Sequence, residues 1–171
     1  MKASEILNTE YFSYYKQYVD LVDDFPLLKA FRVGLTSTSK FFESLPQEKL
    51  LYQYAEGKWT PKEILLHLID TERVFYYRAL YFARHAGSSL EGFDENVFAA
   101  NGGANKRALD DLIKEYVSTR NYTIDLFTSL NNETLRNGGI ANGNPLSVRS
   151  IAFIICGHEI HHRRIIEERY L

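Results

Sequence analysis

A chain of 171 residues with 45% hydrophobic content fits one folded domain, 1–171, large enough to bury a core without covalent staples. Its 12 tyrosines and 11 phenylalanines exclude an intrinsically disordered chain, and a net charge of −2 gives no electrostatic footprint for nucleic acid. No stretch approaches membrane-spanning length and the opening MKASEILNTEYF lacks the apolar core of a signal peptide, so a cytoplasmic protein that engages neither membrane nor nucleic acid is expected.

Asn8 and Thr9 are candidate caps for a short helix over Glu10 to Val22, rich in aromatic residues (Tyr11, Phe12, Tyr14, Tyr15, Tyr18). Such a cluster packs onto a bundle as a lid or lines a ligand pocket. Asp23-Asp24-Phe25-Pro26 breaks the run and starts the first bundle helix, on which Leu28, Phe31, Leu35, Thr38, Phe42 and Leu45 share a face before Pro46 ends it. The clearest start signal is Thr60-Pro61-Lys62-Glu63, a capping box with proline at the first helical position. This second bundle helix is expected to run to His85, with Ala86-Gly87 as its stop and Ile64, His67, Thr71, Val74, Arg78 and Tyr81 as its inward stripe. His67 stands on the apolar line among Leu65, Leu66, Leu68 and Ile69, where an unpartnered imidazole nitrogen costs about 1–3 kcal/mol. His85, at the helix end, reads as an ordinary terminal histidine favoured by the macrodipole. Arg78 shares the His67 line but lies about 16 Å further along, and is expected to pair in the core.

A long connection, GSSLEGFDENVFAANGGAN, follows from Gly87, and loops of this length are often functional. Asp94 and Glu95 in it are either a solvated acidic turn or a contact to substrate or metal. A third bundle helix is expected over Arg107 to Leu130, with Leu109, Ile113, Tyr116, Ile124, Phe127 and Leu130 inward. Asn131-Asn132, Gly138-Gly139 and Asn142-Gly143-Asn144-Pro145 form the last connection. With no alternating strand pattern, the expected class is all-α: a four-helix bundle with an additional short N-terminal helix.

The last helix, Ser147 to Tyr170, carries Val148, Ile151, Ile155, His158, His162, Ile165 and Arg169 at steps of three and four. His158 and His162 sit one turn apart, about 6 Å along the axis, where both rings reach one ion. His161 is the rival for the second place but lies nearer the edge of the stripe. A single core histidine is ordinarily hydrogen-bonded; three at such positions, two of them stacked, point to a metal shared by His67, His158 and His162. Cys156, the only cysteine, excludes an internal disulfide and suits a reducing compartment. Phe153, Cys156 and Ile160 form a second apolar set away from the histidines. Either the aromatic N-terminal helix or a second copy of the chain must cover it, and a homodimer is the expectation.

Several of these segments together resemble the DinB superfamily: Gly57-Lys58-Trp59-Thr60, His67-Leu-Ile-Asp-Thr-Glu-Arg73, Tyr77-Arg78-Ala79-Leu80, Gly92-Phe93-Asp94-Glu95, and Gly157-His-Glu-Ile-His-His162 through Glu168-Arg-Tyr-Leu171. The resemblance implies a four-helix bundle with a metal held by three histidines, here His67, His158 and His162, and frequent homodimers. It also implies a range of roles, including thiol-dependent transferases or isomerases and hydrolases.

His158-Glu159-Ile160-His161-His162 also satisfies the H-E-x-x-H pattern of zinc proteases, with Glu159 as general base. Only Glu167 and Glu168 follow as further donors on the same helix, and a helix cannot turn back to present them to the same ion, so the third ligand must come from upstream. Three neutral histidines leave coordination positions open, as catalytic zinc sites do. The expected function is metal-dependent transfer (thiol S-transferase type) or hydrolysis on a small molecule, with a divalent ion, Zn or Ni, and a low-molecular-weight thiol as a candidate cosubstrate. Glu159 is the candidate catalytic base, or else a surface carboxylate paired with Arg163; Asp70 and Thr71 are candidates to fix the ring of His67. The alternative is a non-catalytic, stress-associated metal-binding bundle, distinguished by whether a pocket leads from solvent to the metal.

Overall fold

The computed structural model describes residues 1–171. After three short 3₁₀ turns comes a single-turn helix α1 (Lys16–Val19), then α2 (Leu27–Glu43), α3 (Pro61–Arg84), β1 (Ser89–Leu90), α4 (Glu95–Gly102), α5 (Leu109–Ser129), β2 (Gly138–Ala141), β3 (Asn144–Ser147) and α6 (Val148–Arg169). The long helices α2, α3, α5 and α6 form the four-helix bundle. No helix is long and apolar enough to cross a membrane.

Helix boundaries follow local chemistry. Thr60 Oγ1 accepts from Glu63 N while Glu63 returns a bond to Thr60 N at 2.8 Å, and Pro61 occupies the first turn, so α3 starts where the capping box predicts. Ser147 caps α6 by accepting from Ser150 N. Each of α2 and α3 packs against both α5 and α6, so α2 lies diagonally opposite α3, and α5 opposite α6, while α3 and α5 are neighbours.

The core is split along the bundle axis. One apolar cluster holds Phe31, Phe82, Phe127, Ile151 and Phe153; the other holds Phe42, Leu65, Ile69, Leu112 and Ile166. Between them, at one level on all four helices, lie Gly34 and Thr38, Thr71 and Glu72, Thr119 and Arg120, and His158 and Glu159, all buried. Buried polar groups are ordinarily hydrogen-bonded; here Glu72, Arg120 and Glu159 partner one another, whereas Thr38 Oγ1 has no partner.

Three expectations need correction. The N-terminal segment is not one helix over Glu10 to Val22 but 3₁₀ turns followed by the single turn of α1. Of its aromatic residues, Tyr11 and Tyr18 are buried and Tyr15 half-buried, whereas Phe12 and Tyr14 are exposed. The connection after α3 is not a bare loop: Asp94 Oδ1 accepts from Asn96 N at 2.8 Å and starts α4. The protein also has a small sheet, with β2 and β3 antiparallel and β1 parallel to β2. Asn142-Gly143, both at positive φ (50° and 74°), make the two-residue turn of the hairpin, the chemistry that Asn-Gly favours.

Of the second apolar set on α6, Phe153 and Cys156 are covered within the chain and Ile160 is half-buried. Phe153 and Cys156 are buried in the core cluster that includes Tyr18 and Val19 of α1. The backbone of Tyr18 approaches Gly157 so closely that a Cβ there would lie 1.9 Å from the Tyr18 carbonyl oxygen. Glu10 anchors this segment, accepting from Ser147 Oγ at 2.9 Å and from Arg149 Nε at 2.7 Å. The observation that suggested a dimer through this face is therefore met by the N-terminal segment.

Candidate metal centre

α3 and α6 pack side by side and bring His67, His158 and His162 together. The Nε2 of His158 lies 3.1 Å from Nε2 of His67 and 3.0 Å from Nε2 of His162, and the potential ligand atoms of all three are within 4.8 Å of one another. Ligands on one tetrahedral ion at about 2.05 Å stand about 3.3 Å apart. Hydrogen bonding alone satisfies this arrangement poorly, because one Nε2 of His158 carries either one proton or one lone pair and faces two neighbours. An ion placed among them accepts a lone pair from all three, so the donor set fits a divalent metal.

Burial holds these rings neutral. It pushes the pKa of His67 down to about 4 and those of His158 and His162 well below the ordinary histidine value, the neighbouring imidazoles adding to the effect for the last two. Neutral imidazole is the ligating form. Thr71 Oγ1 lies 3.3 Å from His67 Nδ1, so a ring with Nδ1–H donating to Thr71 keeps its Nε2 lone pair free. The other candidate for that role, Asp70, is 3.4 Å from Arg73 Nη1 on the outer side of α3 and has no bond to His67. The Nδ1 of His162 is buried without a protein partner.

The cluster lies at the bottom of an open pocket of about 250 Å³. Six aromatic side chains wall it: Tyr14, Tyr15 and Tyr18 from the N-terminal segment, Trp59 before α3, Phe75, and Phe93 before α4. Glu95, Thr71 and His161 supply polar groups. Trp59 covers His67 with ring centroids 4.6 Å apart. A second open pocket, of about 330 Å³, shares Trp59, His161 and His162 with the first and is lined also by Tyr54, Lys58, Asn96, Ile165 and Tyr170. His161 thus stands at the rim of both pockets, its ring 5.3 Å from that of Tyr18.

Of the two acidic residues in the connection after α3, Asp94 is the cap of α4 and Glu95 lines the pocket. Arg78 is buried and donates to the Glu91 carbonyl at 3.1 Å, its guanidinium 5.5 Å from the Phe75 ring and 5.8 Å from that of Phe93. It thereby holds the connection that carries Phe93 and Glu95. His85 caps the end of α3 and stacks on Tyr81 at 5.7 Å, remote from the cluster.

Glu159 is neither a surface residue nor paired with Arg163. It is buried, accepting from Tyr116 Oη at 2.5 Å and from Arg120 Nη2 at 2.9 Å, and it does not line the open pocket. Arg120 in turn donates through Nε to Glu72 at 2.8 Å. Glu72, Tyr116 and Arg120 were not legible as a unit from the sequence. Their one signal is that each interrupts an otherwise apolar inward face at the same height in the bundle.

A four-helix bundle with three convergent histidines, two from one helix and one from its neighbour, defines a class of metal-binding helical proteins. The DinB superfamily profile matches residues 30–166, and the chain belongs to that superfamily. Among solved structures it is similar to YfiT from Bacillus subtilis, described as a probable metal-dependent hydrolase with an unusual four-helix bundle topology. The TM-score is 0.74 at 14% identity, over 83% of this chain and 82% of YfiT. It is also similar to the mycothiol-dependent maleylpyruvate isomerase, with a TM-score of 0.66 at 13% identity. That match covers 82% of this chain, which spans only 60% of the isomerase. No curated protein matches the chain. At these identities the likeness shows the fold.

Proposed function

We propose that this protein is a metal-dependent enzyme acting on a small molecule, with a divalent ion held by His67, His158 and His162. The observation that carries the reading is the open pocket of about 250 Å³ that ends on the three imidazoles. A metal that served only to fasten helices together would be closed by four protein ligands and need no approach from solvent. The imidazole donor set suits zinc or nickel.

Such an ion supplies Lewis acidity: it lowers the pKa of a water or thiol and polarises an electrophile. The chain's own part is to position and to exclude water. The aromatic walls favour a substrate with an apolar or aromatic body, and Glu95 at the rim faces its polar end. Thr71 holds the ring of His67, and Trp59 keeps solvent from its face. In this reading Glu159 acts behind His158 and not as the proton acceptor in the pocket, since its carboxylate is taken by Arg120 and Tyr116.

Thiol transfer is the favoured branch over hydrolysis because a second pocket also reaches His161 and His162. Hydrolysis needs room for one organic molecule and water; transfer from a low-molecular-weight thiol needs room for two. A homodimer, in this reading, would use a surface other than the one covered by the N-terminal segment.

Elemental analysis of the purified protein, followed by turnover assays with that metal restored, tests the proposal. About one equivalent of zinc or nickel per chain is expected, with chelator-sensitive conjugation of a thiol to small electrophiles. Ester or amide hydrolysis without thiol dependence would move the assignment to the hydrolytic branch. Absence of bound metal under metal-replete conditions would overturn both.

A further inference from the structure

Behind the histidines, inside the bundle, Arg120 is 1% exposed and lies between two carboxylates that are 3% and 2% exposed, Glu72 and Glu159. Arg120 Nε and Nη2 donate to the two oxygens of Glu72 at 2.8 and 3.0 Å. Its Nη2 and Nη1 also reach the oxygens of Glu159 at 2.9 and 3.3 Å, and Tyr116 adds its hydroxyl to Glu159 at 2.5 Å. Gly34 on α2 makes room for this, because a Cβ there would lie 1.8 Å from Glu159 Oε1. The arrangement is almost fully buried, but its charges do not cancel. Two carboxylates share one guanidinium, leaving one negative charge in the interior, where an uncompensated charge is strongly disfavoured.

The group faces the metal centre. A small cavity of about 10 Å³ is lined by Glu72, Tyr116, Arg120 and Glu159 together with Thr71 and His158. That is room for about one water molecule, and both carboxylates and the His158 ring border it.

We propose that Glu72 and Glu159, tied together by Arg120, are the interior counter-charge of the metal and positioning residues for His158, so that the bound ion and the second carboxylate stabilise each other. Without the ion the second carboxylate is a liability; with it, the carboxylates favour the dication and hold the ring that ligates it. The inference rests on the assignment of the metal to the three histidines.

The test is Glu72→Gln in the full chain, which keeps the side-chain shape and removes one charge. Zinc affinity is measured by competition with a chromophoric chelator, and unfolding by denaturant is followed for metal-free and zinc-loaded protein. The expected result is zinc binding weakened about 10- to 100-fold, the range for residues that support a ligand. The metal-free variant should be at least as stable as the metal-free parent. Glu159→Gln, which removes the other carboxylate's charge, should shift both readouts in the same direction.

A merely structural ion pair would do the opposite: both forms would lose stability together and zinc affinity would hold. That result overturns the proposal. A variant that does not fold without metal overturns it as well, because the second negative charge would then be stabilising in the absence of the ion. Failure of the site itself is separable, since in that case the parent protein would bind no zinc.

Discussion

Thr71 Oγ1 stands 3.3 Å from Nδ1 of His67, one turn further along the same helix. When Nδ1–H donates to this hydroxyl, the ring keeps its Nε2 lone pair free to ligate. Thr71→Val keeps the shape and removes the acceptor. Metal affinity, read by chelator competition, should fall about 10-fold, at the low end for such partners, with the fold unchanged by circular dichroism. Unaltered affinity would mean that packing against Trp59 alone fixes His67.

Alanine at His67, at His158 or at His162 should each remove most of the bound metal, whereas His85→Ala should leave metal content intact. His161→Ala is the discriminating variant. Its ring is at the pocket rim and outside the triplet, so metal should be retained while substrate handling changes. Metal loss in His161→Ala with retention in His162→Ala would contradict the assignment of ligands, and metal analysis of the two proteins decides it.

The metal-free protein should be sensitive to acid. Burial lowers the pKa of His67 to about 4, and holds those of His158 and His162 well below the ordinary histidine value. An unfolded chain takes up these protons near pH 6.5, so below that value the unfolded state binds more protons and folding stability falls with pH. The contribution of His67 is intact above about pH 6.5 and declines down to about 4, a total of about 3 kcal/mol. Denaturant unfolding of chelator-treated protein at pH 7.5, 6 and 5 should show a progressive loss. The metal-loaded protein should resist until protons displace the ion.

Gly34→Ala should destabilise the protein by about 3 kcal/mol, because the new methyl meets Glu159 Oε1 at 1.8 Å and the carboxylate is pinned by Arg120 and Tyr116. A thermal melt lowered by several degrees is the expected outcome. An unchanged melting temperature would show that the polar layer can shift to admit a methyl group.

Helix starts were the most legible part of the sequence, because Thr60-Pro61 and Ser147 act through bonds to their own next turn. The three histidines were found by phase on two helices, and the structure brings those three together. Phase was less accurate for the core. On α3 the most deeply buried line runs through Leu65, Ile69, Glu72, Ala79 and Phe82, about one residue round from the predicted stripe. The displacement concealed Glu72, and with it the charged group around Arg120. On α6, almost every residue from Val148 to Glu159 is buried, because the N-terminal segment covers what would otherwise be an outer face. No periodicity within α6 announces that, since the cover comes from a segment more than a hundred residues away. The hairpin was signalled by Asn142-Gly143, but its strands are too short for alternation to register.

The pocket is assembled from two kinds of chain. The three imidazoles stand on long bundle helices, whose register is fixed by the core on either side of them. Much of the wall, by contrast, comes from the N-terminal turns, the residue before α3 and the connection after it, which supply Tyr14, Tyr15, Tyr18, Trp59, Phe93 and Glu95. Substitutions in those outer segments can redraw the shape of the cavity without disturbing the register of the helices beneath. The cavity's shape can therefore diverge while the three imidazoles keep their places, and an engineer can randomise the rim of this protein and leave the histidine cluster standing.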